Sequence, residues 1–176
     1  DYLTKFSKLI RMALENSRRE SVTLKSELES LDLYIQMEAM RFKDKLQYNI
    51  AVDENVDSSF IEIPPLLLQP YVENAIWHGL MHKEEGGMLA VRVWVMTGEP
   101  VLIISIEDNG VGRAKSASLI GNTAGRHTSY GTKVTSERLD LINSVYKTGA
   151  SVDTEDVKNE SGEIAGTLVT IKIPFE

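Results

Sequence analysis

Three polar side chains interrupt an apolar helical stretch, and their spacing is the first sign of a functional site. The segment VENAIWHG, residues 72–79, carries an apolar stripe at helical spacing, yet Glu73, Asn74 and His78 lie within it. Burying such groups without partners costs roughly 1–3 kcal/mol each, so either a hydrogen-bond network or a ligand must satisfy them. The amide oxygen of Asn74 is a hard ligand suited to Mg²⁺, and His78, one turn further on, shares its face.

A carboxylate followed by two glycines forms the second candidate. EDNGVG, residues 107–112, directly follows the apolar run VLIISI. Gly110 and Gly112 favour a tight turn that a flat ligand can approach closely. Asp108 would accept a hydrogen bond from an exocyclic amine such as that of adenine. DNG is also a common turn, and on this motif alone both interpretations stay open.

The third candidate is Gly131. It is the last residue of a stretch rich in Gly, Ser, Thr and Asn, residues 110–131, and a helical pattern begins directly after it. A helix that begins at a glycine offers free N–H groups and a favourable dipole to a phosphate. A plain helix start is the alternative. The three features occur together and in this order, which favours a nucleotide site.

Composition and charge limit the possible functions. The 176 residues, 42% hydrophobic and 26% charged, suit one domain of roughly 100–150 residues with an appendage. A net charge of -7 and a pI near 5.1 argue against a nucleic-acid partner, which needs a basic face. The absence of cysteine excludes thiolate metal sites and disulfides. The sequence begins at Asp1 within a helical pattern, which indicates a fragment of a longer protein.

Two helices are predicted first, over residues 2–20 and 22–46. The apolar face of the first comprises Leu3, Phe6, Ile10 and either Met12 or Ala13. The face of the second comprises Leu24, Leu28, Leu31, Ile35, Glu38 and Phe42, and SVT before it predicts an N-cap. Such a pair either packs within the chain or forms half of an oligomer interface.

The remaining pattern predicts an α+β fold, in which helices cover one face of a mixed sheet. A helix is expected over Pro64–Gly79, a loop over 110–131 and a helix over 132–146. Strands are expected at LQYNIAVD, at MLAVRVWVM and VLIISIED, which the turn TGEP joins as a hairpin, and at SVDTEDV and TLVTIKIPF.

Four segments together resemble the ATP-binding domain of the GHKL superfamily, which includes gyrase, heat-shock chaperones, histidine kinases and MutL. They are PPLLLQPYVENAIWHG, IEDNGVG, YGTKVTSERLDLIN and GTLVTIKIPF. LQPYVENAIWHG and the lead-in VTLKSELESLDLYIQMEAMRF resemble more closely the LytS-like branch of bacterial sensor histidine kinases. The resemblance implies a two-layer sandwich. It divides the chain into a C-terminal part of the dimerisation region, residues 1–45, and an ATP-binding catalytic domain, residues 46–176.

The resemblance also assigns residues to the metal and to adenine. It implies that Asn74 chelates Mg²⁺ and that Asp108 binds the adenine amine. Gly110 and Gly112 would shape the first glycine box, and Thr167 would line the adenine pocket from the last strand.

The resemblance assigns other residues to the contacts with the phosphates and to phosphoryl transfer. Gly131 and Thr132 would form the second glycine box, and residues 113–130 would form the ATP lid. Glu73 would act as a base or orient the acceptor histidine, and His78 would shape the pocket.

Four differences from the patterns of the superfamily bear on activity. Ser129 replaces the first glycine of the second box, and Trp77 stands where the branch often has a lysine. Pro70 occupies the position of the acid that activates water in ATP-hydrolysing relatives, which favours transfer over hydrolysis. The acceptor motif H-F-x-F-N is absent, and none of the three histidines lies in such a setting: His78, His82 and His127.

The resemblance therefore predicts a protein-histidine kinase that uses ATP and Mg²⁺. It would transfer the γ-phosphate to an upstream histidine for relay to a response regulator. The parent protein would dimerise through the N-terminal helices and be an inner-membrane sensor with this region in the cytoplasm. The alternative is a catalytically weak nucleotide-binding module that signals through dimerisation, which Trp77 and Ser129 favour.

Overall fold

The computed structural model describes residues 2–42, 45–121, 139–141, 143–144 and 149–175. The helices in this part are α1 (Tyr2–Ser17), α2 (Leu24–Arg41), α3 (Gln69–Asn74), which continues as a π-helix (Ala75–Leu80), and α4 (Arg113–Gly121). The strands are β1 (Val22–Thr23), β2 (Leu46–Val52), β3 (Glu62–Ile63), β4 (Gly87–Val95), β5 (Val101–Asp108), β6 (Ser151–Lys158) and β7 (Ile164–Pro174).

Five strands form one mixed sheet in the order β2-β4-β5-β7-β6. β2 runs parallel to β4, and the other neighbours are antiparallel. β4 and β5 form the predicted hairpin, with Val91 opposite Ile106. β1 and β3 form a separate two-stranded sheet that the sequence analysis did not predict. The predicted α+β class is confirmed.

Alternation along the central strands places one face of the sheet in the core. Leu89 and Val91 of β4 and Ile104 of β5 are fully buried on this face. Val72 and Ile76 from the helix after β3 pack against them in the same cluster. Burying a side chain of this size stabilises the fold by roughly 1.5–3 kcal/mol. The helices therefore cover one face of the sheet, as the two-layer prediction requires.

Helix α2 belongs to this core. The Thr23 side chain accepts a hydrogen bond from the Ser26 N–H at 3.2 Å, which confirms the predicted N-cap. The predicted apolar face of α2 is buried in the cluster that contains the sheet: Leu24, Leu28, Leu31 and Ile35. The division of the chain at residue 45 stays a prediction.

Helix α1 turns most of its apolar face to solvent. Leu9 packs against Leu33 and Met37 of α2 in a small cluster of its own. Leu3, at 71% exposure, and Phe6 and Ile10 are exposed, so of the two alternatives for this face the structure does not show packing within the chain. Helical spacing identifies an apolar face but not its partner, and α2 contacts α1 on the Leu9 side.

The helix expected over Pro64–Gly79 begins five residues later, at Gln69. The backbone before it is irregular, and Leu66 has a φ of 58°. Pro65 disfavours helical geometry at Pro64, and the positive φ of Leu66 is incompatible with an α-helix, so the helix begins only after it. Pro70 lies in the first turn of α3, where a missing N–H is tolerated. From Ala75 to Leu80 the helix widens to π geometry, which the sequence pattern did not reveal.

The loop expected over residues 110–131 contains helix α4, so the first part of the predicted lid, residues 113–121, is helical. The Ser116 N–H donates to the Gly112 carbonyl at 3.0 Å, and Ser116 is buried. The Arg113 guanidinium pairs with Asp156 of β6 at 3.0 Å. Small polar residues gave this helix no periodic apolar signal.

Several predictions fall outside the described residues. Gly131, Thr132 and residues 122–130 are among them, as is most of the helix expected over 132–146. Residues 139–141 and 143–144 of that segment are described and are helical. Within the described ranges, no helix has both the length and the apolar composition that a membrane span requires.

Candidate functional site

The carboxylate of Asp108 is buried at the end of β5. The residue is 4% exposed, and its Oδ1 accepts a hydrogen bond from the Gly110 N–H at 2.9 Å. Burial raises the pKa of Asp108 from 3.8 to about 6, although backbone hydrogen bonds from Gly110 and Thr167 lower it. A buried carboxylate with a raised pKa at a strand end is a candidate for binding or chemistry.

Glycines from three different elements surround Asp108. A Cβ atom on Gly79 would lie 2.6 Å from Asp108 Oδ1, and one on Gly166 would lie 1.9 Å from the Asp108 carbonyl oxygen. A Cβ on Gly110 would lie 2.4 Å from the carbonyl carbon of Gly79. Real side chains do not fit at such distances, so the backbones of the π-helix, the turn and β7 can approach Asp108 this closely only through glycine.

The π-helix is also bonded to the turn. The Val111 N–H donates to the Gly79 carbonyl at 3.1 Å, which fixes the end of the helix against the strand end. Gly112, with a φ of 79°, continues the turn, and a Cβ there would lie 2.3 Å from Ile164 Cγ2. The sequence analysis did not assign Gly79 to the site. Its place at the end of VENAIWHG was the available signal.

Helix α3 and the π-helix carry the other predicted polar residues. Glu73 and Asn74 are half-buried at the end of α3, and Glu73 Oε1 accepts a hydrogen bond from Gln69 Nε2 at 2.8 Å. Partial burial and, to a smaller extent, the charge of His82 lower the pKa of His78, which remains exposed. Segments of π-helix often occur at functional sites, and this one joins Asn74 to the glycines at Asp108.

Thr167 lies opposite Asp108 in the β5–β7 ladder. The structure therefore brings together Asp108, Gly110, Gly166 and Thr167, with the Asn74 helix ending beside them at Gly79. Gly131 and Thr132 lie outside the described residues. In the described part of the chain, no three His, Asp or Glu side chains are grouped to hold a metal.

Trp77 packs against α2. The Arg41 guanidinium lies 4.8 Å from the centre of the indole ring, and the indole N–H donates to the Tyr34 hydroxyl at 3.3 Å. Phe42 meets the ring edge-on at 6.5 Å. Burial raises the pKa of Tyr34 to about 12, which keeps its hydroxyl protonated beside Trp77. Trp77 thus attaches the helix of Asn74 to the N-terminal region.

Sequence comparison shows similarity to a sensor kinase over the whole chain. The Sensor histidine kinase/phosphatase LytS of Staphylococcus aureus (strain MRSA252) is 29% identical over 178 residues, covering 100% of this chain and 29% of that protein. The chain therefore spans less than a third of the length of this relative. The family described as Histidine kinase matches residues 1–46.

Structural comparison shows the fold. The histidine kinase domain of a blue-light activated histidine kinase from Erythrobacter litoralis has a TM-score of 0.54 and 16% identity, covering 99% of this chain and 75% of that chain. The catalytic domain of the histidine kinase ThkA has a TM-score of 0.55 and 13% identity, covering 88% of this chain and 93% of that chain.

The raised pKa of Asp108 predicts a specific pH dependence of stability. The fold favours the protonated carboxyl, so the associated stabilisation is complete below pH 3.8 and is lost as the pH rises through about 6. Asp108→Asn removes the buried charge. Its free energy of unfolding, relative to wild type, should rise by up to roughly 3 kcal/mol between pH 4 and pH 8. Urea titrations at several pH values measure this.

Asp153→Asn is the matched control, because it removes a carboxylate that is 74% exposed on β6. The free energy of unfolding of Asp153→Asn, relative to wild type, should show no comparable rise between pH 4 and pH 8. A difference between Asp108→Asn and wild type that stays constant from pH 4 to pH 8 would contradict the assignment of a buried charge.

The sequence motifs, the sequence match over the whole of this chain and the fold all indicate a sensor histidine kinase. The resemblance of this chain to the LytS-like sensor histidine kinases is confirmed, and its fold is similar to that of the catalytic domains of histidine kinases.

Proposed function

We propose that this chain is the ATP-binding catalytic part of a two-component sensor histidine kinase. It would direct the γ-phosphate of ATP to a histidine of the upstream dimerisation region, from which a response regulator receives it. The observation that carries this proposal is the buried carboxylate of Asp108 within its enclosure of glycines. A fold alone supports many functions, so the proposal depends on this site.

Adenine recognition would depend on the ionised form of Asp108. Its carboxylate would accept a hydrogen bond from the exocyclic amine, and Gly79, Gly110 and Gly166 let three backbone segments lie against it with no side chain between them. Thr167 lines the same position from β7. Because the pKa is about 6, the acceptor is ionised at neutral pH.

The phosphates would lie toward α3. Asn74 offers an amide oxygen to Mg²⁺, an ion that commonly binds through one or two protein oxygens together with phosphates and water. Bound Mg²⁺ would neutralise charge on the phosphates during transfer. Glu73, whose Oε1 accepts a hydrogen bond from Gln69 Nε2, would act as a base or orient the acceptor histidine. His78 shapes the pocket, and Gly131 and Thr132 would contact the phosphates.

The N-terminal region would serve dimerisation. Residues 1–45 are the C-terminal part of that region, and residues 46–176 are the catalytic domain. The exposed apolar face of α1, which includes Leu3, Phe6 and Ile10, would be covered by a second copy. ThkA has been solved in complex with the response regulator protein TrrA, which supports a response regulator as partner. The parent protein would be an inner-membrane sensor, with this region in the cytoplasm and no nucleic-acid partner.

One observation supports a second candidate. Trp77 contacts α2 instead of supplying a lysine amine to the phosphates. A nucleotide-binding module with weak catalysis that signals through dimerisation would fit this feature. Phosphotransfer by the longer protein distinguishes the two, since only the kinase transfers phosphate efficiently.

Substitution of Asp108 tests its proposed role in adenine recognition. Asp108→Asn loses the charged acceptor, so its ATP affinity should fall about ten- to hundred-fold, as expected for roughly 1.5–3 kcal/mol. Calorimetric titration with ATP at pH 8 measures this. The neighbouring half-buried carboxylate provides the control, and Glu107→Gln should bind as wild type does. Unchanged affinity in Asp108→Asn would remove Asp108 from the site.

Substitution of Asn74 tests its proposed role as a Mg²⁺ ligand. Asn74→Ala should abolish the Mg²⁺ dependence of nucleotide binding, because the ion loses its protein oxygen. Titrations with ATP in Mg²⁺ and in EDTA measure it. Asn49→Ala, the same change at an exposed position of β2, should retain the dependence. If the affinity of both variants responds equally to Mg²⁺, Asn74 has a structural role only.

The absence of the acceptor motif predicts that residues 1–176 bind ATP but do not label themselves. In-line attack needs the acceptor within about 3–3.5 Å of the phosphorus, opposite the leaving oxygen, and we expect His78, on the Asn74 side of the pocket, to be poorly placed for this. Incubation with γ-labelled ATP and Mg²⁺ should give no acid-labile phosphohistidine, whereas a chain extended upstream to the acceptor helix should give it. Strong labelling that His78→Gln abolishes would overturn these roles.

A further inference from the structure

Glu27 is a buried acid that the proposed chemistry does not use. It lies in the first turn of α2 and is 2% exposed. Its Oε2 accepts a hydrogen bond from the Leu66 N–H at 3.0 Å, and its Oε1 accepts one from the Leu68 N–H at 3.1 Å. Burying a carboxylate is costly unless hydrogen bonds compensate it, and both oxygens are engaged here by backbone donors of one short turn.

That turn has an unfavourable backbone conformation. Leu66 has a φ of 58°, a region that bulky residues rarely occupy. Leu67 and Leu68, which follow it, are fully buried in the core. Strained backbone persists only where its surroundings hold it in place. The two hydrogen bonds to Glu27 supply this restraint directly before α3 begins at Gln69.

The other end of the same helical segment is also attached to α2. Trp77, in the π-helix, contacts Tyr34 and Arg41 near the C-terminal end of α2. Glu73 and Asn74 lie between the two attachments. One helix therefore fixes where the segment starts and where it ends.

We propose that Glu27 is a positioning residue for the phosphate and metal side of the site. It touches no nucleotide and acts through the turn at residues 66–68, which sets the position of Asn74. The inference rests on the proposed function, because Asn74 matters for binding only if the site takes a nucleotide with its metal. Adenine recognition at Asp108 lies at the opposite end of the segment and does not depend on Glu27.

Glu27→Gln is the decisive variant, since its amide replaces one of the two acceptors with a donor that faces an N–H group. Its affinity for ATP with Mg²⁺ should fall about ten-fold, while its affinity for adenosine stays within about two-fold of wild type. Calorimetric titration measures both ligands. Glu27→Asp keeps the charge on a shorter side chain, so its affinity for ATP with Mg²⁺ should lie between those of wild type and Glu27→Gln. It takes the place of Glu27→Gln if that variant does not fold.

Leu33→Ala is the matched control on the same helix. Leu33 packs toward α1 with Leu9 and Met37, away from the turn. Its substitution should therefore lower the stability of the fold and leave the affinities for ATP and for adenosine unchanged. Equal loss of adenosine and ATP affinity in Glu27→Gln, or no loss of either, would overturn the proposal.

Hydrogen exchange separates this inference from the proposed function. In the free protein, Glu27→Gln should speed amide exchange across residues 66–74 at least ten-fold more than Leu33→Ala does. If wild type binds neither ligand, the proposed function fails. If exchange across 66–74 is the same in the two variants, Glu27 does not position the segment.

Discussion

The contact between the backbone of Gly79 and the turn at Asp108 is the constraint on which the site depends. No side chain separates the π-helix from the end of β5, and the Val111 N–H bonds directly to the Gly79 carbonyl. This contact places the helix that carries Asn74 beside a buried carboxylate. It also explains why Asp108 is desolvated, because the glycines enclose it without adding any charged partner. The raised pKa is the electrostatic consequence of this packing.

The same helical segment joins two layers of the molecule. Its apolar side, with Val72 and Ile76, packs on the sheet, while Trp77 and the turn at Leu66 contact α2. A shift of α2 would therefore move the start and the end of the segment together. In a protein that carries signals between a helical region and a nucleotide site, such a connection is a direct mechanical route. The α1 face that remains exposed lies on the far side of α2, where a further copy of the chain could pack.

Much of the fold could be predicted from the sequence, because its periodic patterns are strong. Alternation revealed the strands around Val91 and Ile104, and the Thr23 cap marked the start of α2. The position of Asp108 at a strand end followed from the apolar run before it. The π-helix could not be predicted in this way, because its apolar residues follow the same pattern as those of the α-helix before it. Helix α4 lacked an apolar stripe, and its start is held by the pairing of Arg113 with Asp156.

The role of Glu27 was hidden for a related reason. On α2 it has the appearance of an ordinary acid in a first turn, and only the fold brings it to Leu66 and Leu68. Local patterns specify elements, whereas the partners of a buried polar group come from residues far away in the sequence. The exposed face of α1 shows the same limit, because an apolar stripe does not reveal what covers it.

The central claim is that the enclosure of glycines around Asp108 holds the adenine of ATP. A crystal structure of the chain with Mg²⁺ and a non-hydrolysable ATP analogue tests it most directly. The account predicts the exocyclic amine within about 3 Å of the Asp108 carboxylate, at ordinary hydrogen-bond distance, and the phosphates toward Asn74. An analogue bound elsewhere, or bound here with its base turned away from Asp108, would contradict it.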